Sequence, residues 1–352
     1  MKAAVLVETG KPLQIIDSVQ IPELLPGQVL VRLVYAAVCH SQLMEVAGCR
    51  GEDKYLPHLL GHEGVGIVES TGAGVSKVKH GDWVILGWIK GEGSDAPGGK
   101  YQSDIGLINS GGVTTFSEQT VVSENRLTIM PDGLPPKLAV LFGCALPTGA
   151  GLVLNEAKPE AGSSIAIFGL GGIGLSCLIA ASLSSPRQLI AIDVSEEKLE
   201  LARELGATHV INASSENVET GLLLITENKG VDYSFEASGS SKVIEQAFNS
   251  VRENGGLCVF ASHPPEGDLI HLEPHAFHRG KRIQGSWGGA SKPDRDIPKL
   301  ASLYKEKNLP LEKLLSKTYT LDEINEAMTD LKQGRIVRAL IAISPDLDGF
   351  NK

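Results

Sequence analysis

Two thiols and an imidazole stand at three points along the chain where they could hold a metal. Cys39 opens Cys39-His40-Ser41, His62 follows 23 residues later in Gly61-His62-Glu63-Gly64, and Cys144 lies in Gly143-Cys144-Ala145-Leu146-Pro147-Thr148-Gly149. Each alone has an ordinary explanation: free cysteines are commonly buried, and a single histidine is more often a core or surface residue than a ligand. Together they form a soft-to-borderline donor set suited to Zn²⁺. A structural zinc is normally closed by four protein ligands. Three leave a position for water or substrate, which is the pattern of a catalytic site.

A second constellation is Gly169-Leu170-Gly171-Gly172-Ile173-Gly174, a G-x-G-x-x-G. With 40 glycines in 352 residues a chance match is easy, and a turn that merely packs a helix on a strand reads the same way. Its surroundings favour a nucleotide site. The apolar run Ser164-Ile165-Ala166-Ile167-Phe168 precedes it and a helix-length segment follows, so helix amides and a positive dipole end would face a pyrophosphate. Asp193 ends the next apolar run, 24 residues after Gly169, with no arginine beside it. A carboxylate there accepts hydrogen bonds from ribose hydroxyls and repels a 2′-phosphate, which points to NAD over NADP.

The elements that must position these groups change character along the chain. The first 130 residues read as β-rich: Val29–Tyr35, Gly66–Glu69 and Asp82–Leu86 are strand-like and separated by turns such as Pro26-Gly27 and Lys79-His80-Gly81-Asp82. After Pro147 strands and helices alternate. Leu189–Asp193, a helix over Ser195–Leu205, then His209–Ile211, Tyr233–Glu236 and Gly256–Phe260 predict a parallel sheet with helices on both faces. After about Trp287 the pattern becomes helical and mixed, read as a return to the first domain.

Composition narrows the partners. Acidic side chains outnumber basic ones by 42 to 32, a net charge of −10 that repels phosphate backbones and argues for a small-molecule substrate over nucleic acid. No charged residue occurs from Ala161 to Ser185, a membrane-span length, yet five glycines break that stretch into a buried strand, loop and helix, so no membrane span is expected. The apolar N-terminus stops at Glu8, too short for a signal-peptide core. Five cysteines are an odd, scattered set that suits a reducing, cytoplasmic setting; Cys49, Cys177 and Cys258 read as ordinary thiols, Cys49 being near the metal set in sequence.

Taken in order, Cys39-His40-Ser41, Gly61-His62-Glu63, the Gly-Cys-x-x-x-Thr-Gly at 143–149, the fingerprint at 169–174 and Arg338 in Gly334-Arg335-Ile336-Val337-Arg338 resemble the zinc-containing alcohol dehydrogenases of the medium-chain dehydrogenase/reductase superfamily. The resemblance spans nearly the whole chain. It implies an α/β protein with a GroES-like β-rich catalytic domain (1–146 and 288–352) and a doubly wound Rossmann NAD domain (147–287). It implies Cys39, His62 and Cys144 as catalytic zinc ligands, with Glu63 a carboxylate near the metal. His40 and Arg338 match positions at the NAD pyrophosphate, Lys198 one near the adenosine ribose beside Asp193, and Thr148 one near the nicotinamide. Zinc would lower the pKa of a bound alcohol, Ser41 would take its proton, and hydride would pass to the nicotinamide. Relatives associate through their coenzyme sheets, so a homodimer or homotetramer is expected.

The departures matter as much. The family's four-cysteine lobe for a structural zinc would fall at about 90–112, where this chain has Gly91-Glu92-Gly93-Ser94-Asp95-Ala96-Pro97-Gly98-Gly99 and no cysteine. One zinc is therefore expected. Gln42 replaces an acidic residue that bonds the ligand histidine; it can accept through its carbonyl oxygen but adds no charge. Met44 replaces the histidine that often ends the proton relay. Alignment puts Trp88, Ser110 (with Gly111) and His263 around the substrate, a more polar lining that suits a polyol, cyclitol or sugar-like alcohol over a plain alkanol. Two other readings compete: a zinc-free reductase of activated double bonds, which would lack the Cys/His/Cys set, and a non-catalytic NAD-binding protein, which would be free to lose it.

Overall fold

A computed structural model describes residues 1–349. The chain divides into two compact units, Met1–Cys144 with Lys292–Lys352, and Ala145–Ser291. The divisions fall two residues before and four residues after those read from the sequence, and glycine packing explains the shift. The helix Ala145–Gly151 belongs with the coenzyme unit: a Cβ on Gly149 would fall 2.2 Å from Ile173 O, and one on Gly151 would fall 2.2 Å from Gly289 O.

The second unit is built on a six-stranded sheet. Its strands run His209–Asn212, Gln188–Asp193, Ser164–Phe168, Tyr233–Glu236, Leu257–Phe260 and Arg282–Gly285 across the sheet, every pair parallel. In chain order this is 3-2-1-4-5-6, the doubly wound order whose crevice lies where the strand order reverses, beyond the carboxyl ends of the first and fourth strands. Ser164–Phe168 is buried along its whole length, as a central parallel strand must be. The uncharged stretch that could pass for a membrane span resolves into this strand and the helix Gly172–Ser182, both largely buried within the unit. Among the described residues no single helix is long and apolar enough to cross a membrane.

The first unit carries two sheets. The larger orders Leu127–Ile129, Trp83–Gly87, Glu63–Thr71, Gln28–Val38, Ala339–Ala342 and Lys317–Thr320, with Gln119–Ser123 also paired to Gln28–Val38. Val29, Val31, Leu33, Val68, Val84, Leu86 and Val122 turn inward to form one core. The smaller sheet runs Gln14–Ile16, Ala3–Leu6, His58–Leu59, Gly106–Asn109 and Lys100–Ser103. Ala339–Ala342 returns from the far end of the chain to pair antiparallel with Gln28–Val38, Ala339 opposite Val38. That register carries Arg338 to the neighbourhood of Cys39.

The cysteine-free lobe is held by a carboxylate. Buried Glu124 accepts hydrogen bonds from Ser76 N at 2.6 Å, Lys77 N at 2.5 Å and Ser94 N at 2.7 Å. Asn125 adds its carbonyl to Gly91 N and its side-chain amide to Asp95, and Asp294 ties Glu92 N and Lys77 Nζ together. Burial acts to raise the Glu124 pKa, but the Ser94, Lys77 and Ser76 amides overcome it and hold the carboxyl at about 2. A pKa below the unfolded value contributes stability that is present above about pH 4.5 and is lost as pH falls toward 2. At neutral pH that contribution is on the order of 3 kcal/mol. Glu124→Gln is therefore expected to lower the urea midpoint clearly at pH 7, with the gap to the unmutated protein roughly halved at pH 3. A gap that does not change with pH would mean the clamp is not electrostatic.

Candidate active site

Three separate segments deliver the ligand set. Cys39 directly follows the strand Gln28–Val38 and stands at the N-cap of a short helix, His40–Val46. His62 precedes the strand Glu63–Thr71 after Gly61, whose φ of +95° and close approach to Thr115 leave no room for a side chain. Cys144 follows the 3₁₀ turn Val140–Gly143, where Gly143 lies flat on the sheet: a Cβ there would meet Leu86 O at 2.3 Å and Glu63 Cβ at 3.0 Å. Cys39 Sγ, Cys144 Sγ and a nitrogen of His62 all come within 4.8 Å of one another. Both cysteines are buried, and His62 Nε2 is 3.2 Å from Cys144 Sγ. The donors, their spacing and their burial fit a zinc ion, and among the described residues no fourth protein ligand joins this cluster.

The electrostatics around the thiols fit as well. Cys39 shares a hydrogen bond with Cys144 that pulls its pKa well below the usual thiol value, against burial and aided by Arg338 and His62. The same bond, with burial, pushes Cys144 well up. A bound dication would favour the thiolate form of both. By contrast, burial alone pushes the Cys177 thiol well up, which marks it as an inert core residue.

Glu63 and Arg338 form a fully buried pair, Arg338 Nη2 donating to Glu63 Oε1. Burial pushes the Glu63 carboxyl up to about 7, with Arg338 pulling it back. Despite burial, the charges of Glu63, Cys39 and Cys144 hold Arg338 firmly protonated. Arg338 therefore sits against Glu63 and the thiols, with its side chain 3% exposed. These are the anions its strand register puts beside it. Glu63 Oε2 and Arg338 Nε both lack hydrogen-bond partners, so neither charge is fully satisfied within the protein.

Gln42 lies beside the ligand histidine: its carbonyl oxygen accepts from Cys39 N at 2.8 Å, closing the first turn of the helix, and its side-chain amide is 2.6 Å from His62 Nδ1. Ser41 Oγ lies 3.3 Å from the same ring nitrogen. His40 is exposed on the first turn of the helix.

In the coenzyme unit the fingerprint glycines divide the labour. A Cβ on Gly169 (φ +86°) would fall 2.8 Å from Ser238 N, and one on Gly174 would fall 1.8 Å from Gly169 O. Gly171 faces open space, and no side chain caps the helix Gly172–Ser182 that it begins. The backbone is thus bare where a pyrophosphate would approach the amides of Gly172 and Ile173. Asp193 ends its strand with Oδ2 accepting from Leu170 N at 2.6 Å and Oδ1 accepting from Val194 N and Ser195 N. Three of its roughly four lone-pair sites are used, leaving room for a ribose hydroxyl. Lys198 is half-buried in the first turn of the next helix, its N–H bound to Ser195 Oγ. Thr148 is buried with its hydroxyl unpartnered, on the helix packed against Gly172–Ser182. His263 follows the strand Leu257–Phe260 and sets its ring edge-on to Trp287 at 5.8 Å.

In the first unit a cavity of about 510 Å³ opens at His62 and Gln42, with Trp88 and Ser110 in its wall. Those two pocket residues are therefore brought together beside a metal ligand. Ser110 donates to its neighbour Gly111 O at 2.9 Å. Sequence reasoning missed the charges of this wall, among them His58, whose ring lies 2.8 Å from Asp53 Oδ2 and 2.9 Å from Leu59 O. Each ring nitrogen of His58 thus has an oxygen within hydrogen-bond distance.

Residues 25–132 match the model of the alcohol dehydrogenase GroES-like domain, and residues 172–306 that of the zinc-binding dehydrogenase. Alcohol dehydrogenase 6 of Peromyscus maniculatus is 31% identical over 97% of both chains. Among solved structures, benzyl alcohol dehydrogenase from Acinetobacter calcoaceticus superposes with a TM-score of 0.88 at 29% identity, covering 97% of this chain and 99% of that one. An alcohol dehydrogenase zinc-binding domain protein from Burkholderia ambifaria gives the same TM-score and identity over 97% and 98%. The chain is an oxidoreductase that belongs to the zinc-containing alcohol dehydrogenase family of the medium-chain dehydrogenase/reductase superfamily.

Proposed function

We propose that this protein binds one zinc through Cys39, His62 and Cys144, takes NAD at the 169–174 fingerprint, and reversibly oxidises a polar alcohol of the polyol, cyclitol or sugar-like kind. The observation that carries this reading is the convergence of three donors from residues 39, 62 and 144, with His62 in the cavity wall. That convergence argues against a zinc-free reductase, and a protein that only binds NAD would not need it.

Zinc, when bound, supplies Lewis acidity that brings the pKa of an alcohol toward neutrality. The chain's own groups do the rest. Cys39 and Cys144 offset the dication while Glu63 and Arg338 offset each other, so the buried charges sum to near zero. Ser41, beside the ligand histidine, is the hydroxyl placed to receive the substrate's proton, and Met44 beyond it carries no proton further. Asp193 selects the ribose diol and disfavours a 2′-phosphate, while Gly171, Gly172 and Ile173 receive the pyrophosphate. Ser110, in the cavity wall, gives a polar substrate a hydrogen-bonding partner that an alkanol cannot use, and His263 is proposed from its aligned position as a second. The unpaired outer edge of Arg282–Gly285 supports association of coenzyme sheets into a homodimer or homotetramer, which light scattering reads against the 37.3 kDa chain. The five unpaired thiols suit a cytoplasmic setting.

Elemental analysis should find about one zinc per chain. Cys144→Ser should lose most of it while Cys177→Ser keeps it; two zincs per chain would overturn the single-site reading.

Kinetics on a panel of polyols and simple alcohols of similar size should favour the polyols, and His263→Val should narrow that preference. With the best substrate, kcat/KM for NAD should exceed that for NADP by about a hundredfold, shrinking to about tenfold or less in Asp193→Ala. Equal use of both cofactors, or a preference for alkanols, would contradict the corresponding assignment.

A further inference from the structure

The cavity at His62 contains more charge than an uncharged alcohol calls for, and most of that charge is already matched. Glu45 lies 3.6 Å from Arg50 and Asp53 lies 2.8 Å from His58, while Glu52 is exposed to solvent. Arg126 is the exception. Its Nη1 donates to Trp88 O, its Nε is shut off from water with no acceptor, and no carboxylate comes within ion-pair range of it among the described residues. Asp95 is the acid whose charge reaches it, but that carboxylate is engaged by Lys90 at 2.6 Å and Asn125 Nδ2 at 3.0 Å.

The guanidinium is tethered by its bond to Trp88 O, and its backbone follows directly on Glu124 and Asn125, which clamp the lobe. Its approach is kept open by a missing side chain: a Cβ on Gly112, also in the cavity wall, would fall 2.9 Å from Arg126 Nη2. A cation partly removed from water without a counter-charge is costly, and a guanidinium is always ionised. Its planar array of N–H donors matches the oxygens of a carboxylate or phosphate.

We infer that the alcohol received by this cavity carries an oxyanion group, a carboxylate or a phosphate ester, and that Arg126 holds that group and so selects the substrate. The inference deepens, and rests on, the reading of the protein as a dehydrogenase of polar alcohols. The opposing view is that Arg126 is only a strut for the Trp88 carbonyl.

The test compares matched substrates on the zinc-loaded enzyme: 4-(hydroxymethyl)benzoate against benzyl alcohol, and glycerol 3-phosphate against glycerol. In at least one pair the charged member should have the higher kcat/KM, and the pair that shows it identifies the oxyanion. Arg126→Met should cut that ratio about ten- to a hundredfold, mainly through KM, and Arg126→Lys should restore part of it. Calorimetry with benzoate and inorganic phosphate, which needs no turnover, should show binding that Arg126→Met abolishes. Should Arg126→Met fail to fold, Gly112→Ala, which crowds Nη2 and keeps the charge, must lower the same ratio. Neutral substrates preferred in both pairs, or ratios and anion binding unchanged by the variants, would overturn the inference. If no alcohol is oxidised but anion binding still depends on Arg126, the dehydrogenase reading fails and the anion site stands.

Discussion

Everything in the catalytic unit answers to one constraint: two thiolates, a carboxylate and a guanidinium have to share a nearly water-free volume. Unpaired, any of these charges would cost several kcal/mol to bury. Glu63 and Arg338 offset each other, and the two sulfurs are left without a full counter-charge from the protein. A soft dication with no protein-supplied fourth ligand is the group that completes such a set, and it leaves a coordination position for chemistry.

Topology delivers those charges from distant points. Arg338 reaches Glu63 across 275 residues because Ala339–Ala342 pairs beside Gln28–Val38 in a register that puts Ala339 opposite Val38. Cys144 reaches His62 because Gly143 packs flat against Leu86 and Glu63. A one-residue slip in the strand pairing would turn alternate side chains to the opposite face and dismantle the pair. The lobe without cysteines needs its own anchor, and Glu124 provides one by gathering three backbone amides on a single carboxylate. That carboxylate keeps the loop in place, two residues before Arg126 at the cavity wall.

Much of this was legible in the sequence, and the limits have a physical pattern. Tyr233–Glu236 and Ser164–Phe168 coincide with the runs read from apolar, β-branched and aromatic residues, and the strand ending at Asp193 differs by one residue at its start. Cys39, His62 and Cys144 could be singled out because their chemistry is narrow and their neighbours distinctive. Less legible were features set by pairing across space. Gln42 reaches both the Cys39 amide and the His62 ring because the short helix begins at Cys39. The place of Arg338 against Glu63 depends on strand register. The unmatched state of Arg126 emerges only after the acids near it are found to be occupied. The domain divisions moved by a few residues because glycine contacts, not hydrophobic periodicity, decide which side of the boundary a short helix joins.

The central claim is that the charge-balanced pocket is completed by zinc on two sulfurs and one imidazole. X-ray absorption at the zinc edge of the metal-loaded protein tests it most directly. The account predicts two sulfur neighbours at about 2.3 Å and two lighter neighbours at about 2.0–2.1 Å, one of them with imidazole scattering. A four-sulfur shell, or one of nitrogen and oxygen alone, would contradict it.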